Sequence, residues 1–482
     1  MQHSKKPYKL PEPLTCDPKD VENGVSMELV KKYIRFHEQR LQRYKYLDAM
    51  YKGFHDVFKA PEKPDWKPDN RLVVNFPRYI VDTFMGYSYG IAIKETHKDE
   101  SINARLRDFQ KLNDLEDHEY ELLKRACIFG HAWEYLYQDE EHNTRVTVCT
   151  PIELFTVYDD TMQRKALFSV RYGYHEENGV STGVAYGEIL TRTQIEHFDN
   201  GKKIESDAIE NPYGYIPVVE YRLNDERMGL FECICGMNEL YNRTLGEKGN
   251  DVDAFAEAYL KILGLPVDED GVHRIHDDRV INVFGTDDAK EIIVEFLQKP
   301  TADGTQENLL NRLETLTFMM SMVANISDKD FGNATSGNAL AYKLWSTSNL
   351  ALTFDRKNRK SIRKRYKIFC SLSTNVPQKD AWQDIEIKMT RNIPRNIQEE
   401  TETAARAEGL VSKRTQLSLL SYVKDPDEEI AQIRKDEEEE AQRNEERAKR
   451  LYGNVASTAG SQTGGQFIQN QAEQVKTDGT EQ

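Results

Sequence analysis

Cysteine is scarce: six in 482 residues, at positions 16, 127, 149, 233, 235 and 370. Only Cys233 and Cys235 are close, and Cys-x-Cys alone is neither a zinc knuckle nor a Cys-x-x-Cys redox pair. The scatter excludes a disulfide scaffold and fits reduced thiols in a cytoplasmic setting. Long apolar runs are absent. None approaches the ~18 residues of a membrane span, and the opening MQHSKKPYKLPEP has no apolar stretch, so no secretory signal is expected. A surplus of positive charge is also missing. Lys and Arg number 65 against 81 Asp and Glu, a net charge of −16. That balance argues against tight, sequence-independent nucleic-acid binding, which draws its affinity from a basic excess. What remains is 38% hydrophobic and 30% charged, enough for packed cores in two to four domains of about 150 residues each.

Residues 1–25 are polar and proline-containing and read as an arm or ill-ordered lead. A long helix is expected from Ser26 to Val57, because Leu29, Tyr33, His37, Leu41 and Tyr44 recur at three- and four-residue spacing; Pro61, Pro64 and Pro68 stop it. Asn75 to Tyr87 reads as a helix begun near Pro77. Residues 101–130 read as helical again, with Leu106, Phe109, Leu112, Leu122 and Ile128 as candidate core. From Ala132 to about Arg222 the pattern turns to strands: short runs of β-branched and aromatic residues separated by turn pairs such as Asn178-Gly179 and Asn200-Gly201. Helix returns over 230–262, with Val252, Phe255, Tyr259 and Ile262 on one side. A strand-and-turn insert occupies 265–300. Another helix covers 305–326, striped by Leu309, Leu313, Leu316, Met320 and Val323. A Gly/Asn/Ser-rich loop, 327–338, leads into one very long helix, Ala339 to Ser373, and a short strand follows at 384–389. Two more helices close the chain, one capped by Ser412 and one opened by Asp425-Pro426-Asp427-Glu428. Residues 436–450 are almost all polar, so that helix ends in solvent. From Gly453 the Gly/Gln/Ser/Thr-rich tail is expected to be disordered.

Three enzyme motifs come near and fall short. Gly179-Val180-Ser181-Thr182-Gly183 matches a nucleophile elbow, but that elbow needs a strand before it and a helix after it; here a hairpin tip fits better. Gly332 and Gly337 have phosphate-loop spacing, yet Asn338 and Ala339 stand where Lys and Ser/Thr belong, so neither the phosphate charge nor the magnesium ligand is supplied. His273, His276, Asp277 and Asp278 form H-x-x-H-D-D, four ligand types on a short turn with no distant set to complete them. Separately, Arg356, Lys357, Arg359, Lys360, Arg363, Lys364, Arg365 and Lys367 fall within twelve residues. Such a run can touch phosphates. Interleaved Ile362, Tyr366 and Phe369 instead suggest a helix with one packed edge and a basic face, solvated or set against carboxylates of a neighbouring subunit. The second reading is favoured.

The chain resembles the portal proteins of tailed double-stranded DNA bacteriophages, in particular the siphophage portal family of Gram-positive hosts. Asn75-Phe-Pro-Arg-Tyr-Ile-Val-Asp-Thr with Tyr87-Ser-Tyr-Gly90 is similar to the family's N-terminal segment. Asn211-Pro-Tyr-Gly-Tyr-Ile-Pro-Val-Val-Glu-Tyr resembles the strand entering the first stem helix. Ser336-Gly337-Asn338-Ala339-Leu340 resembles the opening of the tunnel helix, and Gly409-Leu-Val-Ser412, Thr415, Val423-Lys-Asp425 and Glu428 resemble the crown. The likeness runs in order over about 26–445.

The resemblance implies an α+β portal fold with a mixed α/β wing, a two-helix stem, a small α/β clip, a long tunnel helix and a helical crown. Its parts would be an N-terminal arm (1–25), wing (26–237), stem helix 1 (238–264), clip (265–304), stem helix 2 (305–326), tunnel loop (327–338), tunnel helix and wing (339–399), crown (400–450) and a disordered tail (451–482). It implies a homo-oligomeric ring, a dodecamer at one capsid vertex of the virion, assembled in the host cytoplasm. Double-stranded DNA is packaged and ejected through it. Expected partners are terminase, a head-tail connector protein, and major capsid and scaffolding proteins, with no membrane, metal or cofactor and no enzymatic activity. Asp328, Lys329, Asp330, Phe331, Gly332, Asn333, Thr335 and Ser336 would form the tunnel loop in the DNA channel. Asp268, His273, His276, Asp277 and Asp278 would serve clip docking. Arg356, Lys357, Arg359, Lys360, Arg363 and Lys364 are candidates for contact with DNA or a neighbouring subunit. A conduit must not grip its cargo, and −16 per subunit keeps phosphate from sticking. Two alternatives stay open: a hydrolase or metal-dependent nuclease using Ser181 or the His273–Asp278 cluster, and another viral structural protein.

Overall fold

The computed structural model describes residues 12–64, 67–256, 260–263, 280–283, 293–296, 303–326, 337–393, 397–420, 422–423 and 425–458. The chain divides into two units, 1–393 and 394–482.

In the first unit the supposed ill-ordered lead supplies a strand, β1 (Leu14–Cys16), because Leu14 and Cys16 have an apolar surface to bury against. Helix α1 (Met27–Lys52) starts at Ser26, whose Oγ accepts the Leu29 N–H at 3.2 Å. Expected to reach Val57, it ends earlier, because Gly53 takes a left-handed φ of 90° and turns the chain before any proline is met. The inner face of α1 changes partners along its length. Val30, Tyr33 and Ile34 pack on a sheet, whereas Tyr44, Leu47 and Met50 enter the main core. Helix α2 (Phe76–Tyr89) is capped by Asn75 with Pro77 in its first turn, and strand β2 (Lys94–Thr96) follows. The stretch expected as continuous over 101–130 is two helices, α3 (Glu100–Leu112) and α4 (Leu115–Phe129). Asp114 breaks it by adopting φ 44°.

The β region holds β3 (His131–Gln138), β4 (Thr144–Cys149), β5 (Leu154–Asp159), β6 (Ala166–Glu177), β7 (Val180–Leu190), β8 (Gln194–Asp199), β9 (Lys202–Lys203), β10 (Ile209–Glu210) and β11 (Val218–Arg222). One sheet runs β1-β5-β6-β7-β8-β10, with β9 also on β8; β1 is parallel to β5 and the other pairs are antiparallel. A second sheet runs β11-β3-β4. The β6–β7 and β8–β9 hairpins turn on Asn178-Gly179 and Asn200-Gly201, all four residues at positive φ. Such two-residue turns match the twist of the strands they join.

Helix α5 (Cys235–Ala256) stops short of the expected 262, because Leu260–Leu263 is strand β12. Four mostly apolar residues cannot be assigned to helix or strand from periodicity; pairing decides it. β12 is central, parallel to β13 (Val280–Val283) and antiparallel to β14 (Ile293–Phe296). Helix α6 (Asp303–Ser321) then runs along α5, tied by Lys248 to Glu307 and by Gln306 to Asp251. The long rod expected over 339–373 is two helices, α7 (Gly337–Lys343) and α8 (Trp345–Phe369), separated at Leu344. Just after the break, Thr347 Oγ1 accepts the Ala324 N–H and donates to the Met322 carbonyl, so tertiary bonds hold the new start. Strand β15 (Glu386–Lys388) pairs antiparallel with β2.

The second unit contains α9 (Ile397–Arg406), α10 (Lys413–Ser418) and α11 (Pro426–Thr458). Ser412 Oγ accepts the Thr415 N–H, and Asp425 Oδ1 accepts the Asp427 N–H at 2.9 Å, the caps that the sequence marks. Helix α11 continues past Gly453, where disorder was expected, since nothing before Thr458 interrupts its backbone ladder.

Candidate functional site

The basic run lies on α8. Angular spacing divides this helix sharply. Ala351, Phe354, Ile362, Tyr366 and Phe369 are buried against α2, α3 and the β11-β3-β4 sheet. Arg356, Arg359, Lys360 and Arg363 are exposed on the opposite side and have no ion-pair partner among the described residues. With Lys364, Lys367 and Trp382 they line an open groove of about 500 Å³. Lys357 is spoken for by Asp225 at 2.6 Å. Lys364 donates to the Val218 carbonyl at 3.2 Å, and Ser361 to that of Glu220 at 2.7 Å, so the helix also satisfies the open edge of β11.

One base of the run behaves differently. Arg365 sits on the apolar side, three after Ile362 and four before Phe369, and is fully buried. Its Nε faces both carboxylate oxygens of Glu134 at 3.0 and 2.9 Å; Nη1 reaches Glu119 at 2.5 Å and Glu95 at 3.3 Å. Tyr366 donates to Glu95, Tyr221 to Glu134 at 3.0 Å, and His118 Nε2 lies 2.9 Å from Glu134. Three buried carboxylates therefore share one guanidinium. Burial would raise Glu134, but the Arg365 charge and the His118 bond outweigh it and hold it down to about 2. Burial dominates at Glu95 and Glu119, and the neighbouring carboxylate pushes Glu119 further up. The cluster keeps a proton where an exposed glutamate would lose it. Sequence reasoning missed this hub because its acids come from three distant segments. The available signal was an arginine in phase with an apolar stripe.

A second network joins α1 to the β region. Arg43 Nε bonds Glu232 at 2.9 Å and its Nη2 the Arg227 carbonyl at 2.8 Å. Glu220 accepts from Arg227 at 2.7 Å and from Tyr158 at 2.6 Å, with His131 Nδ1 at 3.0 Å. Burial raises and Arg227 lowers Glu220, with a net result well below the usual carboxylate range. Burial brings His131 down to about 4 despite Glu220.

Asparagines lace α5 to the strap before α2. Asn242 Oδ1 accepts the Val74 N–H at 2.9 Å, Asn238 Nδ2 donates to the Val74 carbonyl, and Asn250 Oδ1 accepts the Asn70 N–H at 2.6 Å. On α6 the expected stripe is only half inward. Leu313 is buried, together with Leu310 and Thr317, while Leu309 and Met320 are exposed at 39% and 52%; Val323, also buried, lies past the end of α6, which stops at Ser321 rather than at 326 because Met322 takes φ 61°. The pair α5–α6 therefore presents apolar surface outward.

Ser181 lies on the exposed end of β7 beside the turn, in register with Glu176, rather than on a strand-to-helix elbow. The tunnel-loop residues Asp328, Lys329, Asp330, Phe331, Gly332, Asn333, Thr335 and Ser336 and the clip residues Asp268, His273, His276, Asp277 and Asp278 lie outside the described residues. Among the described residues no group of three or more His, Cys, Asp or Glu is arranged to hold a metal, and no helix is long and apolar enough to cross a membrane.

A family model described as phage portal protein, SPP1 Gp6-like, matches residues 30–443. A curated relative, the portal protein of Bacillus phage SPP1, is 22% identical over 410 residues, covering 79% of this chain and 78% of the relative.

Proposed function

This chain belongs to the phage portal protein family of the SPP1 Gp6-like type, and from that premise we propose that it forms a ring-shaped channel at one capsid vertex, twelve copies around an axis, through which double-stranded DNA is packaged and later ejected. The observation that carries this reading is the family match over nearly all of the folded chain. The layout of elements supports it. α5 and α6 would be the stem walls, and the small mixed sheet β12–β14 between them the clip that docks terminase and then a head-tail connector. Residues 327–338 would be the tunnel loop, α7 and α8 the tunnel helix, 26–237 the wing and 400–450 the crown. Outward apolar side chains on α6, with exposed Leu240 and Val252 on α5, suit walls that meet neighbouring copies. Major capsid and scaffolding proteins would hold the ring in the shell.

A net charge of −16 per copy suits a channel that must let a polyanion slide, since log affinity for DNA scales with the phosphates neutralised. The hydrolase and nuclease readings are not favoured: Ser181 stands on a hairpin, and the family is structural. Negative-stain averages of the purified chain should show rings with an axial hole. Compact single copies at every concentration, with or without scaffolding protein, would refute the proposal.

A further inference from the structure

Helix α8 has one face that nothing in the first unit covers. Trp345, Leu352, Arg356, Arg359 and Arg363 are separated by steps of seven, four, three and four, which puts them in a single line along the helix. Trp345 is 65% and Leu352 50% exposed, and the three arginines have no ion-pair partner among the described residues. The line is therefore apolar at its start and basic beyond, over about 27 Å at 1.5 Å per residue.

We infer that this outer face of α8 is the docking face for an adjacent copy of the chain, which meets it with a carboxylate-bearing, partly apolar surface. The inference rests on the ring reading above and names a surface for it. Charge decides the partner. Copies carrying −16 each repel one another, and a basic face is where a neighbouring copy's acidic surface finds attraction. A basic face cannot be self-complementary, because a twofold contact would set arginine against arginine. The contact is therefore heterologous, the kind that builds rings. Trp345 and Leu352 distinguish a protein partner from duplex DNA. Large exposed apolar side chains aligned with the cations gain from a protein surface and gain nothing from a phosphate backbone.

The experiment uses the full-length chain, with size read by native mass spectrometry and mass photometry across a salt series. Three variants are compared: Arg356→Glu/Arg359→Glu/Arg363→Glu, the milder Arg356→Gln/Arg359→Gln/Arg363→Gln, and Trp345→Ser/Leu352→Ser. Circular dichroism and melting check the fold, which should persist because every substituted side chain is exposed. The wild type should form rings whose half-assembly concentration rises with salt. Charge reversal should raise that concentration at least about tenfold, a scale set by a few screened ion pairs, and the neutral and serine variants should show intermediate losses. Rings that form equally well in every variant would overturn this face while leaving the ring reading intact. A wild type that never assembles, with or without scaffolding protein, would overturn both. Anisotropy with a 30-base-pair duplex is the third arm: tight, salt-dependent binding lost on charge reversal, with rings unaffected, would assign the face to DNA and overturn the inference.

Discussion

Arg365 shows how much depends on single residues here. Removing it strands three buried carboxylates, so Arg365→Met should lower unfolding stability by about 3 kcal/mol or more, read as an earlier urea midpoint. Glu119→Gln replaces the acid that burial and the neighbouring carboxylate push up with a neutral isostere that keeps an acceptor for the guanidinium, and should stay within about 1 kcal/mol of wild type. Equal damage from both would mean that all three acids are ionised and needed. The same groups set pH dependence. His37, bonded to Tyr172 and Pro151, is brought down to about 3 by burial, and His131 to about 4. Unfolded histidine takes a proton near 6.5, so the unfolded state binds more protons and stability falls as pH drops from about 6.5 towards 4. Glu134, held at about 2, adds its loss below the ordinary glutamate range. Glu95 and Glu119 act oppositely: raised in the fold, they cost stability as pH climbs above the unfolded glutamate value. Melting temperature against pH should therefore peak in the mildly acidic to neutral range. A flat profile from pH 4 to 7 would contradict these assignments.

At the scale of elements, backbone geometry fixes where helices and strands stop. Gly130 joins α4 to β3 at φ 88°, and a Cβ there would press on the Arg227 carbonyl. Gly130→Ala should cost more than the 1–2 kcal/mol typical of left-handed strain alone and should reduce soluble yield. Gly179, also at positive φ but with open space around it, should lose only about 1 kcal/mol on the same change. Comparing the two melts separates close approach from dihedral strain; similar losses would remove the role assigned to Arg227. Elements with local signals were legible in sequence: Ser26, Asn75, Ser412 and Asp425 cap the helices that their positions announce, and both Asn-Gly turns are where expected. Breaks without a local signal were not. Asn113-Asp114 offers a residue type that tolerates positive φ but sits inside a helical apolar pattern, and Leu344 keeps right-handed helical angles, so the interruption there leaves no mark in the sequence.

For the whole molecule, the bracketing of a small sheet by α5 and α6 makes the insert separable. Lys248–Glu307 and Gln306–Asp251 tie the two helices near their insert ends, so a short Gly/Ser bridge replacing residues 257–302 should leave the melt within a few degrees of wild type. It should also abolish capture of terminase and connector protein if the insert is the clip. Loss of fold would show that the insert supports the helices; retained capture would move docking elsewhere.

Composition, net charge, caps and turn pairs were determined by sequence alone, because each depends on neighbours within a few residues. The family resemblance, and the α+β portal fold it implies, came from four motif stretches that recur in order, at 75–90, 211–221, 336–340 and 409–428. Tertiary structure decided the rest. Whether Leu260–Leu263 is helix or strand depends on β13 and β14, distant in sequence. Which bases of 356–367 are free depends on where Glu95, Glu119, Glu134 and Asp225 arrive. Burial and charge pairing are properties of space, and a run of basic letters does not reveal that Arg365 faces inward while Arg363 faces out.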